Sequence, residues 1–205
     1  MKELRDKNGL TEAEFLAQYD ASKYERPSVT IDVIIIKDGK VLLIKRGGHP
    51  CLGKLAFPGG FVEPDEDVYT AAVRELKEET GLDAVNLRQL RVASTPNRDP
   101  RTRIITVPFL ADIKDETALS AGDDAMSARW YPFSCKKINL NGVDIIEITV
   151  LDGEERKTVK VSCQRDKNGI VGDLVYKQIG NSCLAGDHAE IFANALNYKE
   201  KQGAV

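Results

Sequence analysis

Three glutamates in the stretch GFVEPDEDVYTAAVRELKEETGL, residues 60–82, are spaced for metal binding. In a helix, Glu75, Glu78 and Glu79 stand at positions i, i+3 and i+4 and share one face. Their like charges repel, so a positive partner is needed to hold them together. Carboxylate oxygens suit Mg²⁺ or Mn²⁺, and a Mg²⁺ ion held by few carboxylates keeps open positions for phosphate oxygens. The spacing therefore indicates a divalent-cation site, the alternative being a solvated acidic face paired with nearby basic residues.

The same stretch carries the signals of the helix that would hold these glutamates. We predict a helix over residues 66–80, because Pro64 suits its approach, acidic residues favour its N-terminal end, and Gly81 supplies a left-handed stop. The apolar residues that recur four apart, and so form a buried stripe, are Val68, Ala72 and Leu76.

Taken whole, this stretch resembles the Nudix box, G-x5-E-x7-R-E-U-x-E-E-x-G-U, where U is aliphatic. The positions that match are Gly60, Glu66, Arg74, Glu75, Leu76, Glu78, Glu79, Gly81 and Leu82. Nudix proteins are typically hydrolases that cut a diphosphate linked to another moiety. The resemblance implies an α/β fold, the Nudix α/β/α sandwich with a mixed sheet, in which the box forms a loop, a helix and a loop.

The resemblance also implies roles for the residues of the box. The residues expected in catalysis are Glu75, Arg74 and Glu66. The residues expected at the Mg²⁺ or Mn²⁺ ion are Glu75, Glu78, Glu79 and Gly60. Glu75 is either a ligand or the base for the attacking water, whereas Arg74 and Glu66 orient the glutamates.

A loop beyond the box is expected to bind the substrate. The segment TPNRDPRT, residues 95–102, holds Arg98 and Arg101, whose guanidinium groups can grip oxyanions, although its prolines also suit a plain polar turn. The loop and its following strand resemble those of ADP-ribose pyrophosphatases, which implies hydrolysis of ADP-ribose to AMP and ribose 5-phosphate. Other nucleoside diphosphate sugars, dinucleotide polyphosphates and damaged nucleoside triphosphates stay open. Arg46 and Gly59, in the glycine-rich segment RGGHPCLGKLAFPGG (residues 46–60), complete the expected substrate-binding set.

Composition bounds the rest of the chain. Its 205 residues, 42% of them hydrophobic, suffice for one core with an appended subdomain. A net charge of −3 gives no general attraction to nucleic acid or to an anionic membrane. The four cysteines lack C-x-x-C pairing, and there is no apolar run for a signal peptide or a membrane span. We therefore expect a cytoplasmic protein with reduced thiols, a nucleotide substrate, and neither nucleic acid nor membrane as a partner.

The predicted order of elements starts with a lead-in, residues 1–27, whose helix over 11–19 opens with a Thr-x-x-Glu capping box. The Nudix domain follows as residues 28–205. Its predicted strands are 28–36, 41–45, 85–94, 103–112 and a strand carrying Trp130, and its terminal helix is 184–198. A second capping box, Asp187 to Glu190, makes His188 a packing residue in that helix. Before Trp130, Asp123 and Asp124 could touch metal or water, although shaping the approach to the strand is favoured.

Residues 136–182 depart from the simple family pattern as an inserted β element. Two alternating runs, 146–150 and 159–163, and a third strand near 170–176 predict a β-hairpin or small β-meander before the terminal helix. A lone hairpin cannot hide its apolar face, so it must pack on the core, on a second subunit or over the active site. We expect a homodimer contact there, because ADP-ribose-branch enzymes are commonly dimers; a lid or an extension of the chain's own sheet is the alternative.

A second function class also fits the resemblance. Some Nudix-fold proteins are regulators that sense ADP-ribose-like ligands and bind DNA without turnover. They usually carry a winged-helix segment after the Nudix domain and often a degraded box. Here the box is intact, and acidic and basic residues balance over residues 134–205, so the hydrolase is favoured.

Overall fold

The computed structural model describes residues 3–115, 119, 125–166 and 174–203. Helices within this part of the chain are α1 (Glu12–Gln18), α2 (Val68–Thr80) and α3 (His188–Lys201). The strands are β1 (Ser28–Ile34), β2 (Ile36–Lys37), β3 (Lys40–Arg46), β4 (Leu55–Ala56), β5 (Ala84–Gln89), β6 (Ile104–Ile113), β7 (Ala125–Leu140), β8 (Val143–Asp152), β9 (Glu155–Arg165) and β10 (Leu174–Ile179). Asp123, Asp124 and the start of the strand predicted near 170–176 lie outside the described residues.

In the described ranges these strands form two sheets. The smaller is mixed, because β1 runs parallel to β6 whereas β5 runs antiparallel to β6. The larger is antiparallel, in the order β10-β9-β8-β7-β3-β2, with β4 also paired to β3. Helix α2 packs on the smaller sheet through one apolar cluster, and α3 packs on the larger sheet through another. The predicted α/β fold with a mixed sheet is thus confirmed.

Helix α2 ends as predicted but begins two residues later. Asp67 caps it, because one carboxylate oxygen accepts the backbone N–H groups of Tyr69 at 3.0 Å and Thr70 at 2.8 Å. Gly81 stops it with φ of 73°, as expected, and its N–H bonds to the carbonyl of Lys77. Ala72 and Leu76 of the predicted stripe are fully buried against the smaller sheet. The packing of these two residues fixes α2 on the smaller sheet, and with it the backbone positions of its glutamates.

The capping box predicted for the terminal helix is wrong. Asp187 precedes α3, but its side chain makes no capping hydrogen bond, because both carboxylate oxygens accept bonds from Arg98. Glu190 instead accepts the backbone N–H of Gln178 at 3.0 Å. The helix consequently starts at His188, four residues later than the predicted range, and ends three residues beyond it. The box predicted at Thr11 does form.

Two strand boundaries differ most from prediction, and the predicted strand 28–36 is divided into β1 and β2. Strand β5 ends at Gln89 rather than at Ser94, and beyond it Ala93 makes only an isolated bridge to Thr106. Strand β7 is far longer than expected, because it carries Trp130 and runs on to Leu140 in one piece. Position 136, where the insert was predicted to begin, is therefore the middle of a strand.

Strands β7 to β10 pair antiparallel in chain order as a meander. Their buried side chains, which include Ile148, Val150 and Val161, belong to the same cluster as Phe192 of α3. The insert thus extends the chain's own sheet, and α3 covers its apolar face without a second subunit. A homodimer stays a prediction that this face no longer supports. Within the described residues, no helix combines the length and apolarity needed to cross a membrane.

Candidate active site

A cavity of about 440 Å³ lies where α2, β1, the glycine-rich segment, the loop after the box and the start of α3 meet. It brings together eight of the residues predicted for the site: Arg46, Gly59, Gly60, Arg74, Glu75, Glu79, Arg98 and Arg101. Glu66 and Glu78 are not on its wall, but both bind Arg74. The sequence thus located this cavity from segments that are far apart in the chain.

Arg74 binds three of the glutamates in the box. Its guanidinium binds Glu66 through two N–H groups at 3.1 and 2.5 Å, and its Nη1 reaches Glu75 at 2.8 Å and Glu78 at 3.0 Å. A further bond goes to the carbonyl of Phe61. The bond from Arg74 lowers the pKa of the Glu66 carboxyl, and the bond to Glu66 raises the pKa of Arg74. The orienting roles of Arg74 and Glu66 stay predictions.

The double glycine brings the backbone close to the helix. The Gly59 N–H donates to Glu79 at 2.8 Å, and a Cβ at Gly59 would lie 2.1 Å from the carbonyl oxygen of Ile31. A Cβ at Gly60 would lie 2.3 Å from a carboxylate oxygen of Glu75. Gly59 therefore has no room for a side chain against the backbone of β1, whereas a side chain at Gly60 would have to displace the Glu75 carboxylate. The Gly60 carbonyl accepts the N–H of Ile31.

Two glutamates on the cavity wall have perturbed acidities. Burial raises the pKa of the Glu79 carboxyl to about 7, and the bond from Gly59 only partly offsets this. Burial also raises the pKa of Glu75, against the lowering effect of Arg74. Desolvation disfavours the charged form of a carboxyl, and at Glu75 this effect exceeds that of the nearby Arg74 guanidinium. Glu78 differs because 58% of its side chain is exposed.

Arg98 is an enclosed cation of the wall, with only 8% of its side chain exposed. Its Nε and Nη2 donate to the two carboxylate oxygens of Asp187 at 2.7 and 2.6 Å. Burial acts to lower the pKa of Arg98, but the Asp187 carboxylate outweighs it and the pKa is raised. The loop after the box is thereby fixed to α3 by a bidentate ion pair.

The other two predicted arginines hold local loops. Arg101 binds Asp99 through two side-chain bonds, which lower the pKa of that carboxyl, and its guanidinium lies 5.4 Å above the ring centre of Phe61. Arg46 donates from Nε to the carbonyl of Pro50 at 2.8 Å. Both remain on the cavity wall, where a guanidinium group can bind an oxyanion.

Two wall residues escaped the sequence analysis. Asp32 of β1 is buried, and one carboxylate oxygen accepts the hydroxyl of Thr106 at 2.6 Å. Its other oxygen lies 3.4 Å from Nε2 of His188, whose Nδ1 accepts the N–H of Phe57 at 3.1 Å. The carboxylate within the apolar run SVTIDVIII was a usable signal, because a charged residue is rarely buried without a reason.

The donor chemistry of the wall fits a hard divalent cation. In the described part of the chain, no three His, Cys, Asp or Glu side chains are arranged as a ready-made metal site. The three carboxylates bind different partners, because Arg74 donates hydrogen bonds to Glu75 and Glu78 whereas the Gly59 N–H donates to Glu79. Burial raises the pKa values of the partly buried Glu75 and Glu79 carboxyls, so a divalent cation bound beside them would stabilise their charged forms.

Comparison with known proteins agrees with the site. The family model of the NUDIX domain matches residues 26–136. The ADP-ribose pyrophosphatase of Methanocaldococcus jannaschii is 49% identical over 108 residues, which cover 53% of this chain and 63% of that protein. The ADPR responsive transcriptional repressor NtrR of Acinetobacter baylyi is 39% identical over 110 residues, 51% of this chain and 44% of that protein. The chain thus spans less than two thirds of either relative.

One solved structure extends the likeness beyond the matched domain. The crystal structure of a MutT/nudix family protein from Enterococcus faecalis superposes with a TM-score of 0.71 at 33% identity. It covers 94% of this chain, and the chain covers 70% of that structure. The likeness therefore spans most of the insert and α3 as well as the segment that carries the box.

Proposed function

The chain belongs to the Nudix family, and from this premise we propose that it is a hydrolase, dependent on a divalent cation, of a nucleoside diphosphate linked to another moiety. Nudix hydrolases use divalent metals, and the resemblance of the box is supported by the family match. The observation that carries the proposal is the cavity itself. There Glu75 and Glu79, two carboxylates with raised pKa values, share the wall with Arg98, whose side chain is only 8% exposed.

The proposed substrate is ADP-ribose, which would give AMP and ribose 5-phosphate. The name of the Methanocaldococcus jannaschii relative supports this choice. Arg46, Arg98 and Arg101 place three guanidinium groups on the cavity wall, which suits the two phosphates. The proposed partner is therefore a small nucleotide, and the proposed ion is Mg²⁺ or Mn²⁺.

The residues divide the chemistry between them. Glu75, Glu78 and Glu79 would hold the cation, with the Gly60 carbonyl as a further oxygen, while Arg74 and Glu66 set the directions of the carboxylates. A bound divalent cation supplies neutralisation of diphosphate charge and lowers the pKa of a coordinated water. The water oxygen forms a bond to one phosphorus while the bridging P–O bond breaks and the other phosphate leaves. Glu75 is suited to take the water's proton, because burial raises its pKa.

A regulator that binds ADP-ribose without turnover is the second candidate. The similarity to the Acinetobacter baylyi repressor favours it. Against it, the Arg74 network is complete, and the described residues after 136 form β7 to β10 and α3 rather than a winged helix. We therefore place the hydrolase first.

A screen that identifies products tests the proposal. ADP-ribose, other nucleoside diphosphate sugars, dinucleotide polyphosphates and damaged nucleoside triphosphates are incubated with Mg²⁺ or Mn²⁺, and the products are assigned by mass. We expect AMP and ribose 5-phosphate from ADP-ribose. In Glu78→Gln turnover should fall by orders of magnitude while the fold is retained, because the Glu78 side chain is exposed. Salt-dependent DNA binding without turnover would establish the regulator instead.

A further inference from the structure

His188 links three elements of the cavity although it lies far outside the matched domain. It is the first residue of α3, and the family match ends at residue 136. Its ring stacks on that of Phe57, with centroids 5.3 Å apart and planes 8° apart. The ring contacts β1 on one edge and the glycine-rich segment on the other.

The two ring nitrogens of His188 have fixed and different tasks. The backbone N–H of Phe57 can only donate, so Nδ1 of His188 must accept and carries no proton. In the neutral ring the proton therefore sits on Nε2, which faces the Asp32 carboxylate at 3.4 Å. The backbone of the glycine-rich segment thus selects the tautomer that presents a donor to Asp32.

Asp32 is placed where its orientation affects the cation site. Its carboxylate lines the same cavity as Glu79 and contributes, after burial and Glu75, to raising the Glu79 pKa, so the two negative groups are near each other. Thr106 holds one carboxylate oxygen, which leaves the oxygen that faces His188 to define the rotation of the group. Groups behind the ligands of a metal commonly tune its affinity in this way.

We propose that His188 is a positioning residue of the active site, whose Nε2–H orients the Asp32 carboxylate beside Glu79 and so supports divalent-cation binding and turnover. The inference rests on the proposed hydrolase function. It assigns a task in the site to the start of α3, at a residue that the sequence alone marked as packing.

Two amide substitutions separate the tasks of the ring nitrogens. In His188→Asn the side-chain oxygen can accept the Phe57 N–H in place of Nδ1, but nothing reaches Asp32. In His188→Gln the longer amide can donate to Asp32 in place of Nε2, but the acceptor for Phe57 is lost. Both variants lose the ring stack on Phe57 equally, so packing is matched between them. His49→Asn, at the chain's other histidine, which is exposed, is the control.

We measure Mn²⁺ affinity by electron paramagnetic resonance, steady-state hydrolysis of ADP-ribose, and thermal unfolding. His188→Asn is expected to weaken Mn²⁺ binding and lower kcat by about 10-fold to about 100-fold, whereas His188→Gln stays within about threefold of the wild type. His49→Asn is expected to behave as the wild type does.

The reverse order, with His188→Gln impaired and His188→Asn intact, would overturn the inference, because the ring would then serve only to hold Phe57. Equal losses in both variants would assign His188 to packing, and two unaltered variants would assign it no role. If the wild type hydrolyses no nucleotide, the proposed function fails, while Mn²⁺ affinity alone still decides the task of His188.

Discussion

Replacing Glu79 by Gln should have opposite effects on stability and on activity. The glutamine keeps an oxygen for the Gly59 N–H but removes a buried charge that the isolated protein does not neutralise. We expect the metal-free variant to be more stable than the wild type at alkaline pH. The same variant should lose cation affinity and turnover, because the removed carboxylate is one of the proposed ligands.

The magnitude follows from the pKa of Glu79. Burial raises it from 4.5 to about 7, so between these values the folded protein holds a proton that the unfolded chain has released. Folding is therefore favoured at low pH, and stability is lost as pH rises through about 7. The full effect is about 3 kcal/mol, most of which falls between about pH 5 and about pH 8.

Denaturant unfolding in the presence of a chelator measures this difference across the pH range. Between about pH 5 and about pH 8, the unfolding free energy of the wild type should fall by about 2 to 3 kcal/mol more than that of Glu79→Gln. Glu78→Gln is the matched control. It also loses turnover, but it keeps Glu79, so its unfolding free energy should depend on pH as that of the wild type does. Saturating Mn²⁺ should remove this dependence of the unfolding free energy on pH from the wild type. Parallel pH profiles for the wild type and Glu79→Gln would refute the claim that Glu79 is buried without compensation.

Three other substitutions test the cavity wall. Arg98→Ala leaves the Asp187 carboxylate enclosed and unpaired, so unfolding free energy should fall by about 3 to 5 kcal/mol while KM rises; unchanged stability would contradict the buried pair. Arg101→Ala breaks an exposed pair and should cost less than about 1 kcal/mol while lowering kcat/KM, and normal kinetics would make the residue a loop former. Gly60→Ala pushes Glu75 aside and should lower kcat by about 100-fold with a near-normal melting temperature; wild-type kcat would show that Glu75 tolerates the shift.

The sequence predicted the box well because its information is local. The spacing of Glu75, Glu78 and Glu79 sets their placement on one helix face, and Gly81 ends that helix where the pattern requires. Arg74 lies on the same helix, so its reach to Glu78, four positions later, also follows from helical spacing, whereas its contact with the adjacent Glu75 does not. Only the start of the helix was misplaced, since the capping role of Asp67 competes with a first turn at Glu66.

The rest of the site depends on pairings that spacing does not encode. Asp187 has the sequence signature of a cap, yet the structure gives its carboxylate to Arg98, 89 positions earlier. The local sequence favours a capping role for Asp187, but the enclosed guanidinium of Arg98 needs a negative partner, and this requirement outweighs the cap. His188 was read as packing for the same reason, because nothing in the sequence shows that its ring meets Asp32.

The boundary of the insert was missed for a related reason. Alternation identifies strands, but it does not show that β7 passes without a break from the Nudix sheet into the meander. Lys40 pairs with Pro132 of β7, and the very next residue, Phe133, pairs with Val150 of β8. One continuous strand therefore belongs to both regions, which makes the meander an extension of the sheet.

This continuity connects the meander to the chemistry. Phe133 of β7 packs on Phe192 of α3 with ring centres 5.1 Å apart, and Phe192 meets the edge of Phe57 at 5.7 Å. Phe57 stacks on His188, which faces Asp32 in the cavity. The apolar face of the meander thus holds α3, and α3 presents Asp187 and His188 to the site. A second subunit is not needed to explain why that face is apolar, since its burial already serves the wall of the cavity.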